Sequence, residues 1–140
     1  MTGKNQVLLE LKNNLSELER LNMALEEFGS THGLPLKTVL DINLALDEIF
    51  TNIVAYGFSD NNEQLIKIFL SLEDREVCIR VEDYGVSFNP LDLPEPDSNP
   101  DLETSKIGGL GVHLVRKLVE ELKYQRISGK NVLLLKKIIK

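Results

Sequence analysis

Glu48 and Asn52 stand four residues apart in the stretch LALDEIFTNIVAYGF, residues 44–58, which is otherwise apolar enough to be a buried helix. At about 100° per residue they share one strip of that helix with Asp41, beside the small Ala45 and Ala55 and roughly opposite Val39, Ile42, Leu46, Ile49 and Ile53. A carboxylate and an amide so placed can serve one covered polar site on the helix. Glu and Asn at this spacing are also common on solvated helix faces, so the pair alone leaves both readings open.

Two further groups invite the same question. In EVCIRVEDYGVSFNP, the residues Val77, Ile79, Val81 and Asp83 fall on one face of a strand, so Asp83 sets a carboxylate at the end of an apolar row. Such a group is costly to bury unless it meets a donor. Gly85 lets the chain turn sharply, with Phe88 and Pro90 closing the segment, although Asp-x-Gly is equally a common turn. In KIGGLGVHLV, the glycines Gly108, Gly109 and Gly111 immediately precede a helix, where bare backbone amides and the helix dipole favour a phosphate. Turn formation explains such a cluster as well, and it lacks both the Lys-Ser/Thr of a P-loop and the preceding strand of a dinucleotide fingerprint.

The elements that must position these residues are legible in the apolar spacing. QVLLELKN reads as a strand; Leu15, Leu18, Leu21, Leu25 and Phe28 mark a first helix, with Asn14 and Glu17 in a capping-box relation and GSTHGLP as its stop. The second helix runs from Leu36 to about Tyr56, and Gly57 ends it. QLIKIFLSLE and EVCIRVED form a hairpin. A long irregular, proline-rich loop fills residues 84–106, and Val112, Val115, Val119 and Leu122 mark a third helix before a terminal hairpin, LKYQRIS and NVLLLKKII. His32 falls in the turn after the first helix, His113 on the polar side of the third, Cys78 on a strand, and the lysines near the C-terminus on solvated positions. Strands and helices do not simply alternate, so the expected fold is an α+β two-layer sandwich, with helices on one face of a mixed, largely antiparallel sheet.

A chain of 140 residues, 42% hydrophobic and 27% charged, fits one domain over residues 1–140 with a real core. Its apolar runs are too short for a transmembrane helix. A secretory signal is not apparent and the single cysteine, Cys78, cannot form an internal disulfide, which together point to the cytoplasm. A net charge of -6 argues against direct nucleic-acid binding.

Taken in order, Glu-x-x-x-Asn on a long helix, Asp-x-Gly-x-x-Phe after a strand, a variable loop and Gly-x-Gly at a helix start resemble the signature boxes of the GHKL ATPase superfamily. Within it, residues 36–135 look most like the anti-sigma-factor serine/threonine kinase group, with its single Bergerat-type ATP-binding domain. The resemblance implies that Asn52 holds Mg²⁺ bridging the nucleotide phosphates and that Asp83 accepts a hydrogen bond from the adenine amino group. It implies that Gly85 gives the adenine room beside Phe88. Gly108, Gly109, Leu110 and Gly111 would hold the phosphates with Lys106, with Thr51 nearby. Glu48 would be the general base that activates the attacking hydroxyl, and residues 89–107 would be the ATP lid. The chain departs from the group's pattern at Tyr56-Gly57, where members commonly carry His-Gly, and at Lys106-Ile107, where an arginine often precedes the glycine box. Lysine supplies a point charge there and not a bidentate contact.

The implied function is an ATP- and Mg²⁺-dependent protein kinase that sequesters a sigma factor and phosphorylates an anti-anti-sigma protein of the STAS type; the alternative is an ATP-binding partner switch without kinase activity. Members of the group often dimerise, which admits a homodimer. A sensor histidine kinase domain fits less well, because its dimerisation helices with a phosphoacceptor histidine have no counterpart here. A gyrase- or MutL-like ATPase fits less well still, because it draws a lysine from a second domain.

Overall fold

The computed structural model describes residues 6–58, 63–87, 89 and 109–139, of which residues 109–113 are described by backbone alone. Strand β1 (Gln6–Lys12) leads through a short 3₁₀ turn (Leu15–Glu17) into helices α1 (Leu18–His32) and α2 (Leu36–Tyr56). Strands β2 (Leu65–Glu73) and β3 (Glu76–Asp83), helix α3 (Gly109–Leu118), and strands β4 (Glu121–Ile127) and β5 (Lys130–Ile138) follow. The five strands form one sheet in the order β1-β2-β3-β5-β4, every neighbouring pair antiparallel. The expected α+β sandwich is present, with a sheet that is antiparallel throughout. Among the described residues, no helix is long and apolar enough to cross a membrane.

Alternation along the strands builds one apolar face. Val77, Ile79 and Val81 of β3 stand opposite Leu72, Leu70 and Ile68 of β2, and opposite Lys137, Leu135 and Leu133 of β5. Against this face pack Leu21, Leu25 and Phe28 of α1, Ile42, Leu46, Ile49, Phe50 and Ile53 of α2, and Val115 of α3, all almost fully buried. Burial of this much aliphatic surface is the principal stabilising term. The opposite face carries an open groove of about 600 Å³, lined by residues that include Leu8, Phe69, Cys78 and Leu134; on it the Arg80 guanidinium lies 4.1 Å from the Phe69 ring centre.

The first helix differs from its expected outline at both ends. Asn14 Oδ1 accepts from the Ser16 amide at 2.9 Å, while Glu17 reaches back past Asn14 to the Lys12 amide at 2.8 Å, so the polar entry exists but joins β1 to the helix. Leu15 sits in the 3₁₀ turn, 48% exposed, outside the core stripe. The helix also runs through Gly29 and Ser30 to His32, whose ring packs on Phe28 at 4.6 Å. Gly29 is a contact point and not a stop: a Cβ there would lie 2.5 Å from Val39 Cγ2 of α2. The stop is Gly33, at φ 64°. Helix α3 begins at Gly109 and ends at Leu118, so Val119 and Leu122, expected on its apolar stripe, fall beyond it, Leu122 on β4.

Lys137 is a further correction. It occupies an inward position of β5 and is 8% exposed, with Nζ 2.6 Å from the Leu118 carbonyl oxygen and 3.2 Å from Asp41 Oδ2. Asp41 is buried to the same degree and also takes Lys37 Nζ at 2.9 Å. Burial by itself would raise the Asp41 carboxyl, but the two ammonium groups bring it below its ordinary range.

The α1–α2 contact yields a test. Gly29→Ala should lower stability, because overpacking of about 1–3 kcal/mol outweighs the gain of about 1 kcal/mol that alanine has over glycine in a helix. Adding Val39→Ala should recover much of the loss in thermal or urea unfolding; an unchanged midpoint for Gly29→Ala would refute the tight contact.

Candidate functional site

The second half of α2 carries Glu48, Thr51 and Asn52. Asn52 lies off the apolar stripe of Leu46, Ile49 and Ile53 and is nevertheless 2% exposed, and its Nδ2 meets no hydrogen-bond partner among the described residues. Glu48 and Thr51 are half-buried. The strip holding Glu48 and Asn52 is therefore not a solvated helix face. Of the two alanines beside it, Ala45 is fully buried and Ala55 is exposed.

Helix α3 reaches the same strip from the side. Lys137 fixes the Leu118 end of α3 beside Asp41, and α3 packs along α2. Ten residues of helix span about 15 Å, whereas the part of α2 before Asp41 offers only about half that length. Of the two directions open to α3 from that point, the longer stretch of α2 is the one that carries Glu48 and Asn52. Gly109, Leu110 and Gly111 are the first described residues of α3. Phe88, Lys106, Gly108 and the expected lid at residues 89–107 lie outside the described residues, Asn89 excepted.

Asp83 ends β3 and is 3% exposed. Its Oδ1 accepts from the Gly85 amide at 2.8 Å and from Asn131 Nδ2 at 3.0 Å, so one oxygen takes both bonds and the other remains an acceptor among the described residues. Burial pushes the Asp83 carboxyl above its usual range, against the opposing effect of the Asn131 and Gly85 bonds and the nearby Arg126 charge. Asn131 is itself held: Tyr124 OH donates to its Oδ1 at 2.5 Å and Arg126 Nη1 at 3.0 Å, while its Nδ2 also donates to the Val86 carbonyl at 2.8 Å. Arg126 Nη1 further donates to the Gly85 carbonyl at 3.0 Å.

The turn after Asp83 is tied to the end of α2. The Val86 amide donates to the Gly57 carbonyl at 2.8 Å. A Cβ on Gly85 would lie 1.9 Å from that same carbonyl oxygen. The glycine is required by the protein's own backbone, before any ligand is considered. Asp83, Gly85 and the Asn52 helix are thus joined as one unit. Tyr124, Arg126 and Asn131 are not among the residues that the sequence motifs single out. The available signal is the period of two in β5, which puts Asn131 on the same inward row as Leu133 and Leu135.

The model of a family described as the histidine kinase-like ATPase domain matches residues 11–137. The chain is 32% identical over 94 residues to the serine/threonine-protein kinase BtrW of Bordetella bronchiseptica, covering 67% of this chain and 66% of that protein. It is 25% identical to the serine-protein kinase RsbW of Listeria monocytogenes, over 98% of this chain and 90% of the relative. It is 24% identical to the anti-sigma F factor of Clostridium novyi, over 99% and 97% of the two chains. Among solved structures, the RsbU and RsbW domains of a Mycobacterium tuberculosis protein superpose with a TM-score of 0.70 at 18% identity, over 96% of this chain and 32% of that one. This last likeness is one of fold.

The raised Asp83 carboxyl has a consequence for stability. As pH rises, the unfolded chain ionises first, so the penalty begins near the ordinary Asp range, about pH 4, and is complete above the folded value. Asp83→Asn should therefore match or exceed the wild-type melting temperature at pH 7, with the difference vanishing at pH 3. A lower melting temperature at pH 7 alone would contradict this account of the site.

Proposed function

The chain belongs to the histidine kinase-like ATPase domain family, and on that premise we propose that it is an ATP-dependent protein serine/threonine kinase acting as an anti-sigma regulatory factor. Its protein substrate would be an anti-anti-sigma protein of the STAS type, and its target a sigma factor. The observation that carries the reading is the pair of buried polar groups with bonding capacity left over, the Asp83 carboxylate and the Asn52 amide, on two elements joined through Gly57 and Val86.

Each group suits one part of a purine nucleotide. Asp83, with Oδ1 occupied by Gly85 and Asn131, offers its other oxygen to the exocyclic amine of adenine. The backbone amides of Gly109, Leu110 and Gly111 at the start of α3 suit the phosphates, where the helix dipole favours negative charge. Asn52 would meet Mg²⁺ through its side-chain oxygen, a hard neutral ligand, while its Nδ2, which has no partner among the described residues, would be left to donate to a phosphate or a water. The ion would neutralise charge on the phosphates. Thr51, one residue before Asn52, and Lys106 and Gly108 complete the phosphate side of the proposal, and Phe88 the adenine side.

Glu48 lies one helical turn from Asn52 on the same strip. In this reading its carboxylate takes the proton of a serine or threonine hydroxyl as that oxygen bonds to the γ-phosphorus. The bond from phosphorus to the bridging oxygen breaks and ADP leaves with the electron pair. The same proposal extends to a homodimer, for which the outer face of the sheet around Leu8, Phe69 and Leu134 is an available surface.

Calorimetric titration with ADP and a non-hydrolysable ATP analogue, with and without Mg²⁺, tests the site. Metal-dependent binding should appear in the wild type and be lost in Asn52→Ala; equal affinity with and without metal in both proteins would remove the Asn52 assignment. Glu48→Gln should keep nucleotide affinity while phosphotransfer to a STAS-type protein of the same genome falls by about 100-fold or more. Equal transfer by both proteins would exclude Glu48 as the base, and no transfer to any such protein by the wild type would exclude the kinase activity.

A further inference from the structure

Lys137 is out of place on a buried strand face. It continues the inward row of Leu133 and Leu135, opposite Val77, and is 8% exposed. An ammonium group so placed is destabilising unless its charge and its donors are matched. Here they are matched by groups on two other elements: the Leu118 carbonyl at 2.6 Å and the Asp41 carboxylate at 3.2 Å. Leu118 ends α3, where carbonyls lack partners within the helix and a cation opposes the negative end of the dipole. Asp41 belongs to α2, on the same strip as Glu48 and Asn52.

One nitrogen therefore fastens the C-terminal end of α3 to both the sheet and α2. The other end of α3 carries Gly109 and Gly111, and α2 carries Asn52 and Glu48. A helix is stiff along its axis, so whatever fixes the Leu118 end fixes where the glycine amides stand relative to Asn52. Misplacement of about 1 Å in such a site can lower a rate by about 100-fold.

We propose that Lys137 is a positioning residue for phosphate recognition: it sets the axial position of α3 on α2, and so the register of the glycine amides against Asn52 and Glu48. The second lysine on Asp41 does not share this role. The Lys37 side chain is 84% exposed and lies on α2 itself, so its ion pair with Asp41 ties α2 to no other element.

The inference rests on the reading of the α3 start as the phosphate end of a nucleotide site. Its test compares adenosine, which has no phosphate, with Mg-ADP by calorimetry, in the wild type, Lys137→Met, Lys137→Arg and Lys37→Met. Lys137→Met should bind adenosine within twofold of the wild type and Mg-ADP at least tenfold more weakly; Lys137→Arg should recover part of that loss, and Lys37→Met should behave as wild type. Equal weakening of both ligands by Lys137→Met, or weakening of neither, would overturn the proposal by reducing Lys137 to a purely structural residue. Should Lys137→Met fail to fold, Asp41→Asn, which keeps the Leu118 bond and removes the charge on α2, should lower the ratio of Mg-ADP to adenosine affinity; an unchanged ratio would overturn the proposal. Wild-type protein that binds Mg-ADP no more tightly than adenosine would instead overturn the phosphate-site reading itself, and this inference with it.

Discussion

A carboxylate buried at the end of a strand face must find donors within the protein, and Asp83 finds them on two sides. Asn131 reaches it from the neighbouring strand and the Gly85 amide from its own turn. The first bond depends on the register that sets Asp83 opposite Asn131, so it holds only when β3 and β5 are correctly paired. The second draws the turn inward until Val86 meets the Gly57 carbonyl, which connects the sheet to the end of α2. One satisfied charge thus orients three elements, and both of its bonds among the described residues fall on a single carboxylate oxygen.

The inner sheet face is apolar in its middle and polar at its ends. On β5 the row begins with Asn131, continues through Leu133 and Leu135, and finishes with Lys137. The aliphatic middle supplies the burial energy that holds the two layers together. The polar ends are each held by side chains or carbonyls from another element, and each serves a different helix: Asn131 by way of the turn that meets α2, Lys137 by way of the end of α3. Stability and site geometry are in this way divided along a single strand.

Much of this fold was legible in local spacing. The long α2 helix, both hairpins and the place of Asp83 at the end of an apolar row follow from periods of 3.6 and 2 over short windows. What local spacing cannot convey is pairing between distant residues. Asn131 lies 48 positions from Asp83, and only the strand register brings them together. Lys137 reads as a solvated tail lysine until β5 is known to turn it inward. Val115, Val119 and Leu122 keep a helical rhythm past the true end of α3 at Leu118, because the first residues of β4 happen to continue it. Gly29 reads as a stop, although its small size serves the contact with Val39.

Among the described residues the sheet ends at β1 and β4, and sheet edges are where sheets of different molecules join. Both edges are strongly charged. Glu10 and Lys12 stand on β1, and Glu121, Lys123 and Arg126 on β4. Extending the sheet by one more strand would force these groups to find partners in a new register, which works against runaway edge-to-edge association. The same charges reach the outer face, whose groove sets Leu8, Phe69 and Leu134 among Arg80, Glu121, Lys123 and Lys136.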